Sequence, residues 1–460
     1  MQFDPYTPTW HQSEDSDQML EFQHALVWAD PGTGKTLTAL EAFKKGKYRR
    51  GVVICPKIAL TMWRNNIEKH LGLRVAILAD GKSTAKRTMF ILNGADFIVT
   101  TFDLAKKHHF LIRGFAQGKT DVHSRAETDY PSALILDEAH YLKSKDAARS
   151  KAILGEQFIA GPTSIAGAFE DVWFLTGTPI TRHADDLWTS LRVARRDILR
   201  SYGVDRYDQF VDKFCVTELR KYSAHGLYHK TVVRSKNPEL LAKLLNDCRV
   251  IRRTLEEVVD DMPEVTYNSL YVGYAKTGIK QVDTDIQSLV RELNNPDSPM
   301  ATVWRKLGIA KSKEIAEYVA TINKPILLGY WHTDVGDALG EALLALQPEW
   351  TIGRIDGKLS SIKLRDQIMD EFNAGNTNVL LGQMGTLQVS ANLQEICDHV
   401  VIAECVPSPS IVEQFVARVR RKGQKNHVQV DMMVSDHGID TALEMVRDRK
   451  ETYIDKTVDA

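Results

Sequence analysis

Two doubly wound α/β lobes, each built on a parallel sheet, are what this sequence predicts. Three observations lead there. Short continuous apolar runs recur along the chain, a pattern that suits parallel strands covered on both faces. Amphipathic helical stretches alternate with them. The rhythm lapses between about Leu187 and Leu307 and then resumes, which divides the 460 residues into two such domains.

In the first lobe the strand-like runs are Leu26-Val27-Trp28, Val52-Val53-Ile54-Cys55, Phe97-Ile98-Val99-Thr100, Leu134-Ile135-Leu136-Asp137 and Val172-Trp173-Phe174-Leu175, with Leu37, Leu40 and Phe43 recurring at helical spacing. The intervening stretch carries helical patterning, a hinge at Asp260-Asp261-Met262-Pro263-Glu264 and a polar loop from Asn294 to Pro299. In the second lobe Ile326-Leu327-Leu328-Gly329, Val379-Leu380-Leu381-Gly382, Val400-Val401-Ile402-Ala403 and Val430-Asp431-Met432-Met433-Val434 read as strands. Ile315, Tyr318, Val319 and Ile322, then Leu364, Ile368 and Phe372, read as helices packing on them. The expected division is 1–260 for the first lobe, with a helical extension over about 187–260. The second lobe is then 261–460, with a helical insertion over about 275–310.

The chain is 43% hydrophobic and 26% charged, which excludes disorder and fibrous repeats as the overall description. A net charge of −1 excludes a polycation, so nucleic-acid contact has to come from local basic patches. No apolar run approaches the ~18 residues that span a bilayer. Met1 to Pro5 has neither a basic nor an apolar leader pattern. Five scattered cysteines without a CxxC pair make disulfide frameworks and cysteine-rich zinc sites unexpected. The expectation is a soluble protein of a reducing compartment with no membrane partner.

Ala29-Asp30-Pro31-Gly32-Thr33-Gly34-Lys35-Thr36 lies between a strand and a helix opening at Leu37. It carries the GKT end of a P-loop, with Ala29 where GxxxxGKT has its first glycine. Gly32 and Gly34, with Thr33 between them, let backbone N–H groups turn toward bound oxygens without a Cβ clash. The helix N-terminus adds a dipole that favours anions. Lys35 is expected to reach the β- and γ-phosphates, and the Thr36 hydroxyl to ligate Mg²⁺. A second segment, Leu134 to His140, ends an apolar strand in adjacent carboxylates. There Asp137 is expected to hold Mg²⁺ through its shell, and Glu138 to orient and deprotonate a water. Together the two segments predict a nucleoside triphosphatase.

Asp137-Glu138-Ala139-His140 has the form of the DEAH box, and Leu175-Thr176-Gly177-Thr178-Pro179-Ile180 matches a third helicase motif. Gln414-Phe415-Val416-Ala417-Arg418-Val419-Arg420-Arg421-Lys422-Gly423-Gln424 matches the sixth, with one spacer residue more and Ala417 in place of a glycine. Ile54-Cys55-Pro56-Lys57 with Trp63, Ile98 to Phe102, and Ile355-Asp356-Gly357 agree in order. Over nearly its whole length the chain resembles the Swi/Snf-like superfamily-two helicase and translocase ATPases, most closely the annealing-helicase, HARP-like branch. It departs from them at Pro31 and Thr33. It also departs in the fifth motif, Gln388-Val389-Ser390-Ala391-Asn392-Leu393, which keeps Asn392 and Leu393 but lacks the glycines.

The resemblance implies two RecA-like lobes with helical protrusions around the linker, and ATP with Mg²⁺ as cofactors. It makes Gln12 the residue that reads adenine and places Gln414 at the nucleotide. Arg418 and Arg421, three apart and therefore expected on one helix face, become cationic fingers for phosphoryl transfer. Lys57, Thr101 and Thr178 are expected near one DNA strand, with Gly357 and Thr386 near it in the second lobe. Thr178 serves alternatively in coupling alone. His140, Thr176 and Asn392 join this nucleic-acid and coupling set. Lys213 to Lys236 holds six Lys/Arg and one acid, and Gln414 to Val430 five bases and no acid, which agrees with a phosphate track.

The function expected is an ATP-dependent translocase on double-stranded DNA acting on forks, branched DNA or DNA-bound proteins in repair or recombination. A strand-separating helicase of DNA, or less readily RNA, and an ATP-gated clamp with little turnover are the other readings. The chain is taken as a monomer of the bacterial, or phage-infected, cytoplasm.

Overall fold

Met1–Val258 together with Ile454–Ala460 forms one unit, and Val259–Tyr453 forms another. The computed structural model describes residues 7–459, apart from 79–93, 119–130, 157, 159–162, 222–227, 260–261, 276–288, 290–299, 360 and 388–391. The strands of the first unit are His24–Ala29 (β1), Arg50–Ile54 (β2), Val75–Leu78 (β3), Phe97–Thr100 (β4), Ser132–Asp137 (β5), Asp171–Thr176 (β6), Cys215–Lys221 (β7), Tyr228–Ser235 (β8) and Ile251–Arg253 (β9). Seven of them form a sheet in the order β3-β4-β2-β5-β6-β1-β9. Every pairing in it is parallel, with Val27 beside Leu175 and Leu136 beside Phe174.

The apolar runs explain this arrangement, because a strand without a polar face must be covered on both sides. All of β4, β5 and β6 is buried. The helix Lys35–Lys45 contributes Ala39, Leu40, Ala42 and Phe43 to that burial, and Leu60–Leu71 contributes Leu60, Trp63 and Ile67. Parallel strands also put all their C-terminal ends on one edge, and the segments that follow them meet there.

The stretch from Leu187 to 260 is less helical than its patterning suggests. It contains the helices Trp188–Ala194, Arg196–Ser201, Tyr207–Phe214, Pro238–Asp247 and Leu255–Val258. Between them β7 and β8 form an antiparallel hairpin apart from the main sheet, and β9 joins that sheet beside β1. The β-branched Val216, Thr217, Thr231, Val232 and Val233 suit a pleated ribbon better than a helix. The last residues, Ile454–Ala460, group with the first unit rather than with the second.

The second unit holds Val265–Tyr271 (β10), Ile326–Tyr330 (β11), Ile352–Ile355 (β12), Val379–Gln383 (β13), His399–Ile402 (β14) and Val428–Val434 (β15), in the order β10-β15-β14-β11-β13-β12, again all parallel. Successive strand residues point to opposite faces, and the core divides accordingly. Leu327, Leu380, Val400 and Val430 pack with Phe415 on one side. Leu328, Leu381, Val401 and Met433 pack with Leu339 and Leu343 on the other. The expected insertion over 275–310 is described from Met300 onward, where a helix runs to Val319. The hinge aspartates Asp260 and Asp261 and the polar loop at 294–299 lie outside the described residues. Among the described residues no helix is long and apolar enough to cross a membrane.

Candidate active site

The segment after β1 turns tightly at two glycines, Gly32 and Gly34, with φ of 94° and 87°. Only glycine takes that conformation without strain, and a Cβ on Gly34 would lie 2.1 Å from Gln12 Nε2. The loop leads into the helix Lys35–Lys45, whose first-turn N–H groups are the usual anion donors. Lys35 Nζ donates to the carbonyls of Ala29 (2.6 Å) and Asp30 (3.1 Å), so the ammonium lies across the mouth of the loop. The Thr36 hydroxyl faces Met62 Sδ at 3.9 Å. Thr33 is buried, and its hydroxyl donates to Asp30 O at 2.9 Å.

Gln12 is packed against this loop. Its Oε1 accepts from the backbone N–H of Thr9 at 2.9 Å, and its Nε2 lies 3.4 Å from Thr33 O. The neighbouring His11 reaches the same carbonyl through Nε2 at 3.0 Å. On the other side, Arg252 of β9 donates to Asp30 Oδ1 at 2.6 Å and, through Nε, to Asp459 Oδ1 at 2.7 Å. Asp30 Oδ2 accepts from the Leu255 N–H at 3.1 Å.

The carboxylates close β5. Asp137 accepts from Trp63 Nε1 at 2.8 Å and from the Glu138 N–H at 3.1 Å. Burial pushes its carboxyl up to about 6, the Glu138 charge adds to that, and Trp63 and Lys35 pull the other way. Glu138 sits at φ 55°, a left-handed conformation that costs a non-glycine residue on the order of 1 kcal/mol and recurs at active sites. The turn separates the two acids, and Glu138 Oε2 lies 3.3 Å from His140 Nδ1.

His140 continues the connection. Its Nδ1 lies 3.1 Å from Thr176 Oγ1 and 3.3 Å from Thr178 Oγ1, and the Thr178 N–H donates to Thr176 Oγ1 at 3.0 Å. Both threonines are buried. A Cβ on the intervening Gly177 would lie 3.1 Å from Pro31 Cδ and 3.2 Å from Ala29 O, so the turn after β6 rests on the phosphate loop. Lys57 is exposed at the start of a short helical turn after β2. Thr101 caps the helix Phe102–Lys107 after β4, its hydroxyl accepting from the Leu104 N–H. The structure therefore brings Gln12, Gly32, Thr33, Gly34, Lys35, Thr36, Asp137, Glu138, His140, Thr176 and Thr178 into one polar cluster, with Lys57 and Thr101 following strands that end on the same edge.

In the second unit Arg418 and Arg421 do not share a helix face. The helix Pro409–Val416 ends before them, and the chain turns from Ala417 to Gly423, whose φ is 99°. Buried Val419 draws the turn inward, and Arg418 O accepts from the Leu393 N–H at 3.0 Å. Arg418 Nε donates to Gln414 O at 3.0 Å, and Gln414 itself is buried. Arg421 donates to Asn392 Oδ1, and burial holds its guanidinium below the ordinary value. Gln388 to Ala391 of the fifth motif lie outside the described residues. Gly357 N–H and the Thr386 hydroxyl both donate to Gln383 Oε1 at 3.0 Å, so one glutamine at the end of β13 joins them.

Sequence reasoning missed His11, Gln383 and the role of Arg252. The signals were slight: a histidine beside Gln12, and polar residues closing the apolar or short strands β13 and β9.

With this geometry described, the comparisons are informative. The SNF2-related domain family matches residues 18–287, more than half of the chain, and the helicase conserved C-terminal domain matches residues 311–423. The human DNA annealing helicase and endonuclease ZRANB3 is 23% identical over 342 residues, 71% of this chain and 29% of that protein. The SWI/SNF-related matrix-associated actin-dependent regulator of chromatin subfamily A-like protein 1 of Xenopus tropicalis is 23% identical over 443 residues, 91% of this chain and 41% of that protein. The chain thus spans well under half the length of these relatives. A solved Sulfolobus solfataricus SWI2/SNF2 ATPase core in complex with dsDNA is 19% identical. That alignment covers 95% of this chain and 90% of that one, with a TM-score of 0.42.

Proposed function

This chain belongs to the SNF2-related family, and from that premise we propose that it is an ATP-driven translocase on double-stranded DNA, remodelling forks, branched DNA or DNA-bound proteins. The observation that carries the reading is the polar chain from Glu138 through His140 to Thr176 and Thr178. It ties the residue suited to activating water to the end of a neighbouring strand, on the edge where Lys57 and Thr101 also lie. A displacement of Thr178 by bound DNA would move His140 and re-aim Glu138, which makes hydrolysis dependent on the polymer.

Asp137 fits a cation: a buried carboxylate pushed upward by burial and by a second acid is stabilised by a divalent ion. The Thr36 hydroxyl and Asp137 would hold Mg²⁺, which neutralises phosphate charge when bound. Lys35 holds the β- and γ-phosphates, and Glu138 takes the proton of water. Arg418 and Arg421 supply positive charge to the transferring phosphoryl group, with Asn392 and Gln414 holding them. Gln12 and His11 fix the loop on its adenine side.

The similarity to proteins whose names include annealing helicase and SWI/SNF-related supports rewinding or remodelling rather than opening. A forked substrate with complementary arms tests this. ATP-dependent closure of the arms, lost in Glu138→Gln, is the expected result, and release of a free single strand would reverse the reading.

A further inference from the structure

The hairpin β7–β8 has no part in either parallel sheet. We propose that it is a duplex-binding ribbon, a contact to the DNA backbone separate from the residues that follow the strands of the main sheet; this rests on the translocase reading. A two-stranded hairpin is marginal on its own, and the base of this one is secured to the first unit. Phe214 and Cys215 are buried, Lys236 N–H donates to Phe214 O at 2.8 Å, and the Ala184 N–H donates to Ser235 Oγ at 2.9 Å.

Beyond the base every described strand residue is partly buried or exposed; Leu219 is 73% exposed, and Lys230 and Arg234 are exposed. The register pairs Thr217 with Val232 and Leu219 with Lys230, so these four positions share one face, and it pairs Val216 with Arg234 on the other. The two strands hold four Lys/Arg and one acid, Glu218. Lys230 lies beside Asp212, with both side chains more than half exposed to solvent.

A ribbon with basic positions on both faces is not shaped to complete a core. A two-stranded ribbon does fit the major groove of B-DNA, about 12 Å wide, where basic positions on its two faces meet phosphates of both strands. The occupant is therefore double-stranded DNA, recognised by charge and groove shape without base readout.

The test uses the full chain and a fluorescent duplex without nucleotide, with affinity followed over salt concentration. Each lost phosphate contact lowers the slope of log K against log salt by about 0.9. Lys230→Gln with Arg234→Gln is expected to flatten the slope accordingly, while ATPase activity without DNA stays at the wild-type rate. A shortened hairpin, with 218–231 replaced by Asn-Gly between the paired Thr217 and Val232, is expected to flatten it further. An unchanged slope in the doubly neutralised protein, whose thermal unfolding matches wild type, overturns the proposal even if the shortened form does not fold. Loss of single-stranded RNA binding with duplex binding intact overturns it too. A wild-type protein with no salt-dependent duplex affinity overturns the translocase reading itself, and the ribbon with it.

Discussion

The first unit carries its candidate chemistry on the ends of buried strands, whereas the second carries it on turns beyond a helix. Asp137 is the last residue of β5, between strands buried on both faces, and Thr176 closes β6 beside it. Their positions are fixed by the sheet. Arg418 and Arg421 lie past the end of the helix Pro409–Val416 and are held by bonds to Gln414 O and Asn392 Oδ1. The contrast teaches that the carboxylates of the first unit are placed by the sheet, while Arg418 and Arg421 of the second are placed by a turn packed around buried Val419. Substitution of Glu138 in the first unit should remove chemistry and leave binding, and substitution of Arg421 in the second should slow the same step to a smaller extent.

The largest effect falls on the first unit. Glu138→Gln should lower single-turnover hydrolysis by up to about 10⁴-fold, since an amide cannot accept the proton of water. ATP affinity, read by equilibrium titration, should remain close to wild type. Arg421→Ala should slow hydrolysis by about 10³-fold even with saturating DNA, again with nucleotide bound. Near-normal turnover would show that this arginine does not serve the phosphate.

His140→Ala breaks the connection between Glu138 and the threonines. It should remove most of the several-fold stimulation by DNA and leave the DNA-free rate little changed. Equal loss of both rates would make His140 a part of the hydrolytic site rather than a link.

The smallest effect is in pH. The Asp137 carboxyl is raised in the folded protein, from 3.8 to about 6. Its contribution to stability is therefore present at low pH and is lost as pH rises through about 6. The charged form that a cation needs is populated above that point. Mg²⁺ affinity of the nucleotide-free protein, followed through Trp63 fluorescence, should fall below about pH 6, and Asp137→Asn should abolish that dependence.

Legibility in the sequence follows the same contrast. The apolar runs located β1, β2, β4, β5 and β6 of the first sheet and β11, β13, β14 and β15 of the second, because a strand buried on two faces has no polar alternation to disguise it, and Phe97–Thr100 is found where it reads. Asp137 was legible as the end of such a run, whereas Thr176 and Gly357 were read from the motifs that carry the family resemblance. β3, β7, β8, β9, β10 and β12 were not legible, since exposed or edge strands bury little and leave no continuous run. The burial pattern of β10 alternates irregularly between partly buried and exposed positions. The turn at Ala417 escaped because a three-residue spacing of arginines reads as helix, and only tertiary packing of Val419 ends it. Arg252 was visible as a basic pair with Arg253, but nothing local says that one side chain spans from Asp30 to Asp459.

If ATP hydrolysis here answers to double-stranded DNA, steady-state ATPase rates show it directly. The rates should be compared without nucleic acid and with single-stranded DNA, linear duplex, fork, four-way junction and RNA at matched salt. Stimulation of several-fold by duplex or forked DNA, absent from Glu138→Gln, is the expected result. Equal stimulation by RNA alone, or a rate indifferent to every polymer, would contradict it.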